Sequence, residues 1–162
     1  MIEVLRLGHR VSRDKRISTH VALVARSFGA SKLYYTGQRD KGMEESVLKI
    51  VSNFGGDFEI EHIQNYKEVF SGRKVVHLTM YGADFRDYAD DIKGNVLVVV
   101  GGEKVPPEIY GDSDYNLGVS NQPHSEVAAL GVFLYHLNKF KFKKFKGKKN
   151  VIPDLKGRKI FK

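Results

Sequence analysis

Residues 95–100 read NVLVVV, the most apolar segment of the chain, and four of the six are β-branched. Such a run, with no polar alternation, belongs in the middle of a parallel sheet covered on both faces. The rest of the chain must then supply flanking strands and helices. It does so in alternation. Strands are expected at Ile2–Leu7 (IEVLRL, bounded by Gly8), Lys32–Thr36, Phe58–His62, Lys74–Thr79 and Tyr115–Val119. Between them, Ser18 or Thr19 can cap a helix whose Val21, Val24, Ala25 and Phe28 form an inward stripe ending at Gly29. Met43–Phe54 reads as a second helix closed by Gly55-Gly56, and Tyr66–Phe70 as a short helical piece. Asp84–Ile92 reads as a surface helix. A last helix runs from Pro123 to Asn138, with Val127, Leu130, Leu134 and Leu137 at helical spacing, Pro123 in its first turn and Asn121 or Gln122 as cap. The spacing predicts one α/β unit: a mostly parallel sheet sandwiched by helices.

Ligands of such sheets bind beyond the carboxyl ends of the strands. Three central strands here end in polar or glycine-rich turns, LTMYG (with a turn at Met80-Tyr81-Gly82), VGGEKV and VSNQPHSE. One pocket lined by three loops follows. Gly101 and Gly102 would let a ligand approach the backbone closely, or simply make a sheet-to-loop turn. Neither G-x-G-x-x-G nor G-x-x-x-x-G-K-[ST] occurs, so a standard dinucleotide site or NTPase phosphate loop is unsupported. The six histidines show no H-E-x-x-H or other ligand spacing, and no metal is expected. Ser125 lacks a nucleophile-elbow context. With no cysteines, disulfides and thiolate chemistry are excluded, and a reducing cytoplasm is the natural compartment. No stretch approaches the length of a membrane span, so no membrane partner is expected.

The formal charge is +8, but its placement matters more than its total. Residues 139–162 hold eleven of the 27 Lys and Arg and only one acid, Asp154, which gives that segment +10 and leaves −2 for the rest. Phe140, Phe142 and Phe145 interleave with its lysines, a pattern suited to nucleic-acid contact as well as to a solvated face. The chain divides accordingly into a body over 1–139 and a basic extension over 140–162, where the Pro153-Asp154 turn between β-like runs predicts a hairpin. A second basic cluster, His9, Arg10, Arg13, Lys15 and Arg16 around Asp14, is either plain surface or a phosphate-gripping loop. Arg26, near a helix end, reads by itself as a surface residue complementing the helix dipole.

The strings LRLGHRVSRDKRISTHVALVARSFGA, HLTMYG, VGGEKVPPEIY and NLGVSNQPHSEVAAL together resemble the SPOUT superfamily of knotted methyltransferases. Within it the chain is similar to the archaeal tRNA ribose 2′-O-methyltransferases that modify cytidine 56 in the T-loop. The resemblance covers nearly the whole chain, with only the terminal segment loosely matched. It implies a trefoil knot in the C-terminal half, S-adenosylmethionine bent into that knot, and a homodimer whose interface completes each active site. The cofactor loops of the family fall on Leu78, on Gly101, Gly102, Glu103, Lys104 and Val105, and on Val119, Ser120, Asn121, Gln122, Pro123, His124, Ser125 and Glu126. Arg26 matches the arginine of the superfamily's first motif, which implies that it holds the target phosphate and assists removal of the 2′-OH proton. His20 stands where bacterial relatives have asparagine, and Gln122 and His124 where they have serine and asparagine. Two alternatives remain open: a related enzyme acting on another tRNA or rRNA position, and a non-catalytic RNA-binding protein.

Overall fold

The apolar run is strand β5 (Val96–Val100), buried at every residue, and it lies inside the sheet of a computed structural model that describes residues 1–102 and 104–162. On one side β5 pairs with β1 (Ile2–His9), on the other with β4 (Lys74–Asp84). With β2 (Lys32–Gly37), β3 (Glu59–His62) and β6 (Tyr115–Gly118) the order is β3-β2-β1-β5-β4-β6, and all five pairings are parallel. Period-two geometry splits β5 between two apolar layers. Val98 and Val100 face helices α1 (Val11–Ser27), α2 (Lys41–Phe54) and α4 (Glu126–Leu137), where Val21, Ala25, Val47, Leu130 and Phe133 cover them. Leu97 and Val99 face the other way, onto Leu5, Tyr34, Val69 and Ile109, the last two from the single turn Tyr66–Val69 and helix α3 (Glu108–Asp112). Both faces are thus covered, as a parallel sheet requires.

Four local expectations are corrected. Helix α1 starts at Val11, seven residues before the cap expected at Ser18, because Asp14 accepts from the Arg10 backbone N–H and holds the Arg10 guanidinium at 2.9 Å. The basic cluster is therefore largely the first turns of a helix rather than a loop. Helix α4 starts at Glu126; Ser125, not Asn121 or Gln122, accepts from the Val127 N–H as its cap, and Pro123 precedes the helix. Residues 84–92 form two 3₁₀ turns, Phe85–Asp87 and Ala89–Asp91, instead of a surface helix. Phe85, Ala89 and Ile92 all turn inward, and the Asp84 carboxylate, accepting from the Arg86 N–H, tightens the first turn. Finally, β4 does not stop at a turn after Thr79 but continues to Asp84. Leu117 of β6 sits opposite both Leu78 and Ala83, so the four residues between them swing out of register. Gly82 makes that excursion possible: a Cβ there would stand 2.6 Å from the Asn116 and Leu117 backbone.

The expected hairpin is present as β7 (Val151–Ile152) and β8 (Ile160–Phe161), with Asp154 accepting from the Lys156 and Arg158 N–H groups in its turn. Between α4 and the hairpin the chain folds back on the body. Phe142 stacks on Tyr135 with ring centroids 5.0 Å apart, and the Lys149 N–H donates to the Asn53 carbonyl at 2.7 Å. Among the described residues, no helix is long and apolar enough to cross a membrane.

Candidate active site

The ends of β4, β5 and β6 meet around one cleft of roughly 1040 Å³, the volume of a site for a ligand of nucleoside size or larger. From β4 it takes Leu78 and the out-of-register residues Thr79 to Tyr81; from the loop after β5, Gly101, Gly102, Lys104 and Val105; from the segment between β6 and α4, Val119, Pro123, His124 and Glu126. The remaining predicted residues of that segment hold its shape instead of lining the cleft. The Asn121 amide donates to the carbonyls of Met80 at 2.7 Å and Gly82 at 3.1 Å, clasping the β4 excursion to the β6 loop. The Ser120 hydroxyl accepts from the Gln122 N–H, His124 Nδ1 donates to the Gln122 carbonyl at 2.6 Å, and Ser125 caps α4. Glu103 lies outside the described residues.

Arg26 is not brought to this cleft. It is buried near the end of α1, against the expectation of a surface residue, where Nη2 donates to the Gly55 carbonyl at 2.5 Å and the guanidinium lies 4.6 Å from the Phe145 ring centroid. Burial pushes its pKa down.

Two buried polar residues beside the cleft were not singled out from the sequence. Arg6, 1% exposed, reaches from β1 under the loop after β5: Nη2 lies 3.2 Å from Glu126 Oε1, Nη1 donates to the Leu7 carbonyl, and a Cβ on Gly102 would sit 3.2 Å from Nη1. Among the described residues its Nε has no hydrogen-bond partner. His77, also 1% exposed, stands on β4 in the cleft wall, its Nδ1–H donating to Asn116 Oδ1 at 2.9 Å, with the Tyr110 ring edge-on at 4.8 Å. Burial pushes its pKa down, so the ring is neutral at pH 7. Both carried a signal: an arginine and a histidine each flanked by apolar residues within strands that must be covered on both faces. Among the described residues no cluster of His, Asp and Glu is arranged to hold a metal.

The family model described as tRNA ribose 2′-O-methyltransferase, aTrm56, matches residues 54–161, which include all three cleft loops. The chain belongs to this family. Members of the family named tRNA (cytidine(56)-2′-O)-methyltransferase include one from Methanosphaera stadtmanae, 43% identical over all of this chain and 99% of its own length. Another, from Methanocaldococcus jannaschii, is 47% identical over all of this chain and 97% of its own. The chain also shares its fold with the SpoU methyltransferase AviRb from Streptomyces viridochromogenes, solved in complex with AdoMet: TM-score 0.62, 17% identity, covering 85% of this chain and 56% of that one. The α/β fold with its mostly parallel sheet is thus that of the SPOUT methyltransferases.

Proposed function

We propose that this chain transfers the methyl group of S-adenosylmethionine to the ribose 2′-OH of cytidine 56 in the T-loop of tRNA. The observation that carries the reading is the convergence of three strand-end loops on one cleft, all inside the segment that the family model matches.

The residues present fit that cofactor. Gly101 is packed so tightly that a Cβ would meet Val105 Cγ2 at 2.1 Å, so at that position only backbone fits beside the cleft. Exposed peptide groups can read an adenine edge, while Leu78, Val105 and Val119 provide apolar walls. The Glu126 carboxylate stands in the same wall, held by Arg6. When bound, S-adenosylmethionine supplies an electrophilic methyl group on a sulfonium centre. The cofactor-binding set is accordingly Leu78, Gly101 to Val105 and Val119 to Glu126, with Ser120, Asn121, Gln122 and Ser125 acting through the shape of their loop. We read the β4–β6 loops, clasped by Asn121, together with α4 as the trefoil knot of the superfamily.

Arg26 is assigned to the target phosphate and the 2′-OH proton. A guanidinium is a poor base, so orientation and charge are its larger share, although burial shifts its pKa in the direction that proton acceptance needs. Since Arg26 does not line the cleft of its own chain, this role requires it to serve the cleft of a second copy. That requirement, with Ile17 of α1 and Val132 of α4 left 37% and 49% exposed on neighbouring helices, supports a homodimer built on the α1–α4 face. Residues 1–139 are read as the methyltransferase unit and 140–162 as a basic extension that contacts tRNA, in the cytoplasm.

The test is methyl transfer from labelled S-adenosylmethionine to unmodified tRNA transcript, compared with a transcript carrying 2′-deoxyribose at position 56. Label in the ribose-bearing transcript alone is expected. Equal label in both would move the acceptor to another atom or nucleotide.

A further inference from the structure

One ring nitrogen in the cleft wall is left open to a ligand. His77 is 1% exposed, lines the cleft, and bonds through Nδ1 to Asn116, its partner in the β4–β6 pairing. Nε2, the ring nitrogen farther from the backbone, has no hydrogen-bond partner among the described residues. Yet it is not sealed in like the unpartnered Nε of Arg6, and what little of the ring is exposed lies in the cleft wall. We infer that His77 Nε2 accepts a hydrogen bond from the adenosyl half of the cofactor, from the adenine amino group or a ribose hydroxyl; the inference rests on the cofactor assignment made above.

The hydrogen bonds around the ring decide what Nε2 can do. Asn116 Nδ2 donates to the Tyr110 carbonyl at 2.9 Å. A carbonyl only accepts, so the amide cannot be turned over and its oxygen faces His77. That oxygen only accepts as well, so Nδ1 carries the proton of the ring. A neutral imidazole has one N–H and one lone pair, and the lone pair is then on Nε2. Burial disfavours the doubly protonated ring and keeps it neutral at pH 7. The ring is also held in place, with Tyr110 edge-on at 4.8 Å and the Tyr110 hydroxyl 3.2 Å from Thr79 Oγ1. His77 therefore presents a fixed acceptor, and its missing partner is a donor.

Burial and lining narrow the donor. The acceptor ribose of a folded tRNA comes to the mouth of the cleft, whereas an atom on a residue so deeply buried is met only by a ligand that enters fully. Pro106, Pro107 and the Tyr110 ring line the cleft with His77, apolar surfaces that take a nucleoside in preference to the charged amino-acid end of the cofactor. An acceptor placed there also discriminates. A nucleoside that set a carbonyl or a bare ring nitrogen against Nε2 would leave two lone pairs facing each other, and adenosine has donors to avoid this.

Calorimetry on the full chain tests this with S-adenosylhomocysteine, the demethylated form of the cofactor, and three analogues that each lack one donor: the 6-deamino purine, the 2′-deoxyriboside and the 3′-deoxyriboside. At least one analogue should bind the wild-type chain about five- to tenfold more weakly than the parent compound. His77→Asn keeps an N–H near the Nδ1 position for Asn116 and deletes Nε2. It should lose a similar factor for the parent compound and less than about twofold more for that analogue, because the contact is already gone. His77→Gln, whose side-chain oxygen reaches the Nε2 position, should recover most of the loss, which a purely structural role would not give. Histidine ¹⁵N spectra of the wild-type chain read the contact without a variant: Nδ1 should carry the proton with and without ligand, and the Nε2 resonance should move upfield on binding. A protonated Nε2, an unmoved Nε2 resonance, or equal analogue penalties in wild type and His77→Asn would overturn the inference. A chain that showed these penalties and moved no label to tRNA would sink the proposed transfer and leave the His77 contact standing; one that bound no S-adenosylhomocysteine would sink both.

Discussion

Arg6 and Glu126 meet at 3.2 Å beneath the loop that follows β5, an interior guanidinium whose carboxylate partner stands in the wall of the cleft. The pair ties β1, one of the two central strands, to the first turn of α4. Breaking it strands a charge in the interior, a cost that the partial exposure of Glu126 reduces. Glu126→Ala should lower the unfolding free energy by about 2 kcal/mol, and the double variant Arg6→Met, Glu126→Leu should lose less than that single one. Urea denaturation of the three proteins would check it.

Two glycines should respond in opposite ways to one added methyl. At Gly82 a Cβ would press on the Asn116–Leu117 backbone at 2.6 Å, which a rotamer change cannot relieve; at Gly111, in α3, it would meet nothing within 4 Å. Gly82→Ala should cost about 1–3 kcal/mol and Gly111→Ala should gain up to about 1 kcal/mol. Thermal unfolding of both would show melting temperatures moving apart, and equal shifts would contradict the packing of β4 against β6.

Stability should depend on pH in two separate windows. Burial pushes the pKa of His9, despite Asp40 at 3.4 Å, and that of His77 below the ordinary 6.5. Both rings are neutral when folded, and the unfolded chain takes up their protons below about pH 6.5, so stability is full above that value and declines as pH falls toward the folded pKa values. The slope is at most about 1.4 kcal/mol per pH unit for each histidine. Glu3 is also buried, which alone would raise its pKa, but Arg73 outweighs this and holds it below 4.5, while the Arg10 guanidinium holds Asp14 down. Their contribution is lost only at more acid pH. Melting temperature should be flat from pH 7 to 8, begin to fall below 6.5, and fall less steeply to pH 5 in His77→Gln.

Arg26→Ala should abolish methyl transfer while leaving S-adenosylmethionine affinity near normal, because the side chain lies away from its own chain's cleft. A 1:1 mixture of this variant with a second that cannot bind cofactor, Gly101→Arg, should recover up to about a quarter of wild-type activity if the arginine acts across a dimer, because half of the re-formed dimers are mixed and each of those has one intact site. Transfer assays on the mixture measure it, and silence in the mixture would confine Arg26 to one chain.

Much of the sheet was legible because its physics is local. An unbroken β-branched run announces a covered strand, and period two then assigns Val98 and Val100 to one layer and Leu97 and Val99 to the other. The cleft loops were legible for the same reason, as polar ends of central strands. Other features depend on partners remote in sequence. Asn121 reads locally as a helix cap, yet its amide is taken by carbonyls about 40 residues earlier. Arg26 reads as a surface residue until the chain beyond α4 folds back and lays Phe145 over it. Residues 84–92 read as a helix because Phe85, Ala89 and Ile92 fall near helical spacing, while the Asp84 side chain, accepting from the Arg86 N–H, tightens the first turn into a 3₁₀ bend.

The strand order carries a consequence for how the molecule is made. β5 is inserted between β1 and β4, both of which leave the ribosome before it. Until residue 100 has emerged, β1 pairs only with β2, and the inward edges of β1 and β4 stay open to any passing strand. A sheet whose central strand arrives after its neighbours is hazardous during synthesis, when crowding, heat or a slow codon between residues 84 and 96 would matter most.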